Sequence, residues 1–337
     1  MSIILLAAQP FAKTQAGAEL FSNHLMDSIK EITTIFPPEN KIPKWPYLIE
    51  PAKSKAVADE LQSRLAELKP TAVMYNGMYG WALPKNTPYK KIALCHGTYP
   101  SFARHALPWS LDRIRTQFIY SFFERKSFEN ADIVISNSAY TRECLKKEYG
   151  INSQVIPLAT TSHAVGENKK RTLRKEISLP QNKKIILFAG RATYSKGFDW
   201  VEKLAATHPE WYFVSVTSPR AHSQNIDCRG PFLFEELQKY YNACDAVIYP
   251  SRVESFGYVT IEALAAHKPV VTSNFGIARE ISHPYCIKID SPSLEAFADG
   301  INRALQLESD KTLANEMKRF EMKRFTADYK KMLGLKS

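Results

Sequence analysis

One recurring pattern constrains this chain more than any other feature. Short, unbroken runs of apolar, β-prone residues alternate with longer amphipathic stretches. The runs fall at residues 3–7, 72–75, 91–95, 133–136 and 154–156, and a second series falls at 184–189, 211–215, 246–249, 269–272 and 286–289. A strand covered on both faces reads as a continuous apolar run, whereas a half-exposed strand alternates. Helical spacing fills the intervals at 18–30, 54–68, 109–130, 140–149, 198–207, 233–243, 258–266 and 293–307. Alternation of this kind predicts α/β architecture: parallel sheets with helices on both faces.

The pattern restarts near residue 184, after the polar, charged stretch GENKKRTLRKEISLPQNKK at 166–184. That stretch reads as a connector and a solvated first helix. Two doubly wound domains are therefore expected, at 1–160 and 161–315. A basic helical tail follows at 316–337, with packing back on the N-terminal domain as one arrangement for it. MKRF occurs twice in the tail, at 317–320 and 322–325, and helical spacing turns Phe320, Phe325, Tyr329 and Leu333 inward.

Composition narrows the classes. The 337 residues are 45% hydrophobic and 23% charged, ordinary for a globular chain. Five widely spaced cysteines without a C-x-x-C argue against a disulfide framework or a cysteine zinc site, and for a reducing compartment. The opening MSIILLAAQP lacks a basic region and is too short for a signal-peptide core, so it reads as a buried first strand. No run approaches the ~20 apolar residues of a membrane span. The expected location is cytoplasmic, with any membrane contact peripheral at the inner face. The net charge of +11 is shared, with 19 basic against 14 acidic residues in the first 160 and 26 against 20 in the rest. Diffuse basicity suits anionic ligands or an anionic surface, and no nucleic-acid motif accompanies it.

The densest functional pattern is YPSRVESFGYVTIEALAAHKPVV at 249–271. An apolar strand ends at Pro250, and a polar loop carries Glu254, Ser255, Phe256 and Gly257. A helix pattern then starts near Tyr258 and Val259 and bears Glu262. Glycine lets the loop backbone approach a ligand closely. The amides opening the helix lack intrahelical acceptors and, with the helix dipole, suit a diphosphate. Glu262, about one turn in, can accept hydrogen bonds from a ribose diol, and Glu254 from sugar hydroxyls. The bland reading is two exposed helix-start carboxylates favoured by the dipole. A second loop, in ILFAGRATYSKGFDW at 186–200, sets Gly190, Arg191, Lys196 and Gly197 beyond a strand end, where cations suit phosphates. His96 and Gly17 also sit beyond strands, where ligands of doubly wound sheets bind.

These segments resemble retaining GT-B glycosyltransferases, the large E-x7-E family (glycosyltransferase family 4-like, glycosyl transferases group 1). Glu254 and Glu262 have the required spacing, and SFGYVTIEALAAHKPVV follows the family stretch closely. The resemblance implies a GT-B fold, two Rossmann-like domains facing across a cleft, with the N-terminal one on the acceptor side and the C-terminal one binding the nucleotide sugar. It implies that Glu254 contacts donor-sugar hydroxyls and Glu262 the ribose. Arg191 and Lys196 neutralise the diphosphate, and the Ser255–Val259 amides contact sugar and diphosphate. His96 lies near the reacting sugar, and Gly17, in TQAGAELFSNHL, faces the phosphate where the family usually has two adjacent glycines. The catalytic candidates are thus Glu254, His96, Arg191 and Lys196. Asp132, Ser138 and Thr141 are read as fold determinants, and Thr217, Ser218 and the Gly230–Phe232 turn as candidates for lining the base pocket. VIPLAT at 155–160 departs from the family's V-I-P-N-G.

The implied reaction is hexose transfer, with retention, from a UDP- or GDP-sugar to an acceptor hydroxyl of a glycan, glycolipid or small molecule, in bacterial-type cell-surface glycan synthesis. No D-x-D occurs, so no obligatory metal or other cofactor is expected. A GT-B phosphorylase or epimerase, or a non-catalytic sugar-nucleotide-binding subunit, would preserve the same site; a nucleic-acid binder, suggested by charge alone, would not explain it. Residues 99–126 are rich in aromatic and basic side chains. They fit either an interfacial surface for anionic lipid or a core helix with snorkelling basic side chains.

Overall fold

The computed structural model describes residues 2–7, 17–39, 42, 48–216, 225–230 and 234–336. The chain divides into two compact units, one of Met1–Leu158 with Met322–Ser337 and one of Ala159–Glu321.

In the first unit six described strands form one all-parallel sheet: β1 (Ile3–Leu6), β2 (Ile32–Ile35), β3 (Ala72–Asn76), β4 (Lys90–Cys95), β5 (Ile133–Ser136) and β6 (Gln154–Val155). Their order is β2-β1-β3-β4-β5-β6. The helices are α1 (Gly17–Ser28), α2 (Ile49–Ser63), α3 (Leu65–Leu68), α4 (Tyr99–Ala106), α5 (Leu111–Ile114), α6 (Ser121–Glu129) and α7 (Ala139–Tyr149), with a π-helical segment, Arg115–Tyr120, joining α5 to α6. β1 is fully buried along its length, as its unbroken apolar sequence requires. Small polar groups fix the ends. Ser138 caps α7 by accepting from Thr141 N at 3.0 Å, and Asp132 accepts from Lys91 N at 2.7 Å, tying the start of β5 to β4.

In the second unit the strands are β7 (Lys184–Ala189), β8 (Trp211–Val216), β9 (Ile226–Arg229), β10 (Ala246–Tyr249), β11 (Val270–Ser273) and β12 (Cys286–Ile289), again all parallel. Here the order is β12-β11-β10-β7-β8-β9. Helices α8 (Glu167–Glu176), α9 (Phe198–Thr207), α10 (Phe234–Ala243), α11 (Tyr258–Ala265), α12 (Leu294–Gln306) and α13 (Leu313–Met317) cover it. One core joins the sheet to α9 and α12 through Phe188, Phe198, Val201, Phe213, Phe297 and Ile301. β7 and β10 lie at the centre, and the chain leaves them toward opposite edges. Loops beyond such a reversal part to leave a crevice, the usual ligand position in doubly wound sheets.

The sequence pattern omits β2 and β9. Both are edge strands, and both carry polar residues, Thr33 and Thr34 in one and Asp227 and Arg229 in the other. It also omits α4, and the helix expected at 109–130 is interrupted by the π-helical turn.

The last helix, α14 (Met322–Leu333), belongs to the first unit. Phe325 and Tyr329 are buried and pack against Phe21 of α1, with ring centroids 6.0 and 5.8 Å away. Arg324 donates to the carbonyls of Pro157 and Leu158 at 2.8 and 3.1 Å. Leu333 is buried as well, and Phe320 is buried within the second unit. Truncating a buried aromatic removes its burial energy and leaves a cavity. Phe325→Ala is expected to destabilise the first unit by about 3–5 kcal/mol, read by urea unfolding.

Candidate functional site

In the second unit the loops after β7 and β10 meet. A 3-10 turn, Tyr194–Lys196, carries Lys196. Its Nζ forms an ion pair with Glu254 Oε1 and donates to Tyr249 Oη at 3.2 Å. Tyr249, the last residue of β10, donates its hydroxyl to the same carboxylate oxygen. Ser251 Oγ is 3.4 Å from that oxygen, 2.9 Å from Val253 O and 3.1 Å from Ser195 O. Glu254 is thus held from three directions, and its side chain is 13% exposed, as against 22% for Lys196. Burial beside Glu254 pushes the Tyr249 hydroxyl well above its ordinary pKa, which keeps it a donor.

Further contacts lock the two loops together. Arg252 N donates to Ser195 O at 2.9 Å. The Arg252 guanidinium grips Asp199 at the start of α9 through two bonds of 2.6 and 2.8 Å and stacks 3.7 Å from the Tyr194 ring centroid. A planar fork of donors makes such a bidentate pair directional. Gly197 has φ +71°, and a Cβ there would lie 2.1 Å from Pro250 O. On the other side, Gly276 has φ +56° and packs against Phe256, whose carbonyl accepts from Ile277 N at 2.7 Å. Only glycine allows either approach.

Gly190 follows β7 and donates to Val216 O at 3.3 Å. Arg191 is exposed. Ser255, Tyr258 and Val259 are partly buried, while Gly257 is buried and caps α11. The Phe256 side chain is buried, with its ring centroid 5.6 Å from Tyr258 and 6.3 Å from Phe320, so only its backbone is available to a ligand. Glu262 is also buried, at 4% exposure, and accepts from Tyr241 Oη at 2.7 Å. Burial raises its carboxyl to about 7, partly offset by the Tyr241 bond. Its backbone carbonyl accepts from Ser162 Oγ at 2.8 Å.

In the first unit, His96 follows β4. Its Nε2 lies 3.2 Å from Asn76 Oδ1, and its ring meets Phe21 edge-on at 4.6 Å. Burial lowers its pKa to about 4, so the imidazole is neutral at pH 7. Nearby, Glu124 is buried and accepts from Tyr99 N at 2.9 Å and Tyr149 Oη at 2.7 Å; burial raises it to about 8. Gly17 is the exposed first residue of α1. Thr14 to Ala16, Thr217, Ser218, Pro231 and Phe232 lie outside the described residues.

Tyr249, Ser251, the Arg252–Asp199 clamp and Tyr241 are site members that sequence reasoning missed. The available signal was a hydroxyl-bearing residue closing an otherwise apolar strand, as Tyr249 does.

The family model for glycosyl transferases group 1 matches residues 231–323, and that for glycosyltransferase family 4 matches residues 24–164. The chain belongs to this glycosyltransferase family. An O-antigen biosynthesis glycosyltransferase, WclY, of Escherichia coli is 27% identical over 41% of the chain and 42% of that protein. The chain spans half or less of the length of the first curated relatives it matches. Among solved structures, a sucrose-phosphate synthase from Thermosynechococcus elongatus aligns with TM-score 0.80 at 18% identity, covering 98% of both chains. Anabaena HepE, in complex with UDP and glucose, aligns with TM-score 0.74 at 16% identity, covering 99% of both. The two doubly wound units have the GT-B fold.

Two stability predictions follow from the geometry of the second unit. Gly197→Ala sets a side chain against the Pro250 carbonyl in a left-handed conformation, and is expected to lower stability by at least about 2 kcal/mol in thermal unfolding. The Glu262 carboxyl binds its proton more tightly folded than unfolded, so its contribution is full below pH 4.5 and is lost as pH rises through about 7. Glu262→Gln should flatten that fall by up to about 3 kcal/mol, read by urea unfolding between acid and neutral pH.

Proposed function

We propose that this protein is a retaining glycosyltransferase that moves a hexose-type sugar from a nucleotide-diphosphate sugar to an acceptor hydroxyl. The observation that carries the reading is the junction of Lys196 and Glu254 on loops beyond the two central strands of the second unit. A donor presents anionic phosphates and neutral sugar hydroxyls close together, and this pair answers both. When the donor binds, Lys196 turns toward the diphosphate with Arg191, and Glu254 accepts from sugar hydroxyls. Tyr249 and Ser251 keep Glu254 in place during that exchange. The amides opening α11 add partial positive charge. Glu262, held by Tyr241, accepts from the ribose.

As the glycosidic bond breaks, charge builds on the leaving diphosphate. Arg191, Lys196 and the helix-start amides stabilise it, each worth a few kcal/mol on general grounds, about 3 to 4 for a well-placed donor. In this reading no metal is needed, and retention arises from attack on the same face as the departing group, with Glu254 as a donor-side contact and not a hydrolase-type nucleophile. UDP is the favoured nucleotide, because the fold neighbour HepE carries it. The acceptor is a glycan or glycolipid of the bacterial cell surface, in keeping with the O-antigen relative.

A binding and turnover screen across UDP-, GDP- and ADP-sugars tests this, with anomeric configuration read by NMR and turnover repeated in EDTA. Glu254→Ala and Lys196→Ala are each expected to abolish transfer while retaining cooperative thermal unfolding. Full activity in either variant sinks the site assignment; binding without turnover on any acceptor favours a non-catalytic subunit.

A further inference from the structure

The segment Phe102 to Phe122 of the first unit departs from the rest of the surface. Nine large apolar side chains are exposed among the described residues, and seven of them lie in this stretch. Trp109, Leu111 and Phe118 are the extremes, at 79%, 77% and 67% exposure. The helical run from α5 through the π-helical turn to α6 buries Tyr120 and Phe128 in the core and carries a second set of apolar groups on its outer face. Thr116, Glu124 and Ser127 face inward and are buried, while Leu111, Ile114, Phe118 and Phe122 face outward. Water disfavours such a face, and single-chain proteins rarely keep a contiguous apolar patch of this kind without a use for it. The core-helix reading accounts for Tyr120 and Phe128 but not for the exposed Trp109, Phe118 and Phe122.

Charge selects the occupant. Residues 99–126 hold Arg104, Arg113, Arg115, Arg125 and Lys126 against Asp112 and the buried Glu124. Arg113 lies over the Trp109 ring at 5.2 Å and Lys126 over the Phe122 ring at 4.4 Å. Arg104 pairs with Glu148, Arg115 with Asp112 and Arg125 with Glu129. Surface pairs of this kind are weak and exchange readily for another anion. Exposed aromatic and aliphatic groups bordered by cations match the boundary between acyl chains and anionic headgroups. No described helix is long and apolar enough to cross a membrane.

We propose that α4, α5, the π-helical turn and α6 form a docking surface for an anionic lipid bilayer, with Trp109, Leu111, Phe118 and Phe122 entering the interface and Arg113 and Lys126 at the phosphates. The surface stands independently of the donor site. Docked there, the first unit meets an acceptor carried on lipid.

Flotation of the full chain with phosphatidylcholine vesicles, with and without phosphatidylglycerol, tests it. The chain is expected to float with the anionic vesicles, roughly tenfold better than with the neutral ones, and to release at high salt. Trp109 fluorescence should shift to the blue on binding, and Trp109→Phe should remove that shift while preserving flotation. The combined variant Leu111→Gln, Phe118→Gln, which alters exposed groups only, should lose flotation at unchanged thermal stability and unchanged nucleotide binding. Arg113→Ala with Lys126→Ala should weaken binding to anionic vesicles alone. The proposal is overturned by wild-type flotation in the Leu111/Phe118 variant. It is equally overturned by absence of anionic-vesicle binding, including the case where sedimentation shows a dimer that this variant dissolves.

Discussion

The pairing of β7 with β10 is the constraint on which the candidate site depends. The two strands are hydrogen-bonded neighbours, with Ala246 opposite Ile186 and Val247 opposite Leu187, yet some sixty residues of chain separate them. Every side chain in the Lys196–Glu254 cluster reaches its place because those strands end side by side. The strand order β12-β11-β10-β7-β8-β9 then sends the onward chain to opposite edges, which keeps the space above the pair clear of crossovers. Gly197 and Gly276 brace the β10 loop from two sides by close backbone approach, alongside the Arg252–Asp199 clamp.

Each unit carries a buried glutamate whose proton affinity is raised by burial and whose oxygen accepts from a tyrosine: Glu124 with Tyr149, and Glu262 with Tyr241. A tyrosine hydroxyl can satisfy a carboxyl in either protonation state without importing a second charge, which suits an interior where an unpaired ion is costly. Glu254 is treated differently. It lies nearer the surface and has a full cationic partner in place of a tyrosine alone.

The fold was legible in the sequence wherever burial was complete. The central strands carry unbroken apolar runs because both faces are covered, and β5, β7 and β10 begin and end where those runs do. The edge strands β2 and β9 were not legible, since a half-wet strand with Thr33, Thr34 or Asp227 resembles a loop. The motif residues near Glu254 were legible by spacing, but the contacts that hold them were not. Tyr249 meets Lys196 only through strand pairing over a long separation, and no local pattern encodes that. Nor does periodicity reveal that the 109–130 segment carries apolar groups on its outer face as well as its inner one, because spacing defines a face without saying which side is wet.

The return of α14 to the first unit has a consequence for how the protein is made. The second unit is one uninterrupted stretch and can complete its core as soon as Glu321 clears the ribosome. The first unit lacks the cover over Phe21 until Phe325 and Tyr329, which follow the second unit along the chain, are in place. Until then Phe21, which also abuts His96, is left uncovered on the nascent chain. Loss of residues 322–333 therefore damages the first unit, whose other residues precede Ala159, and spares the second.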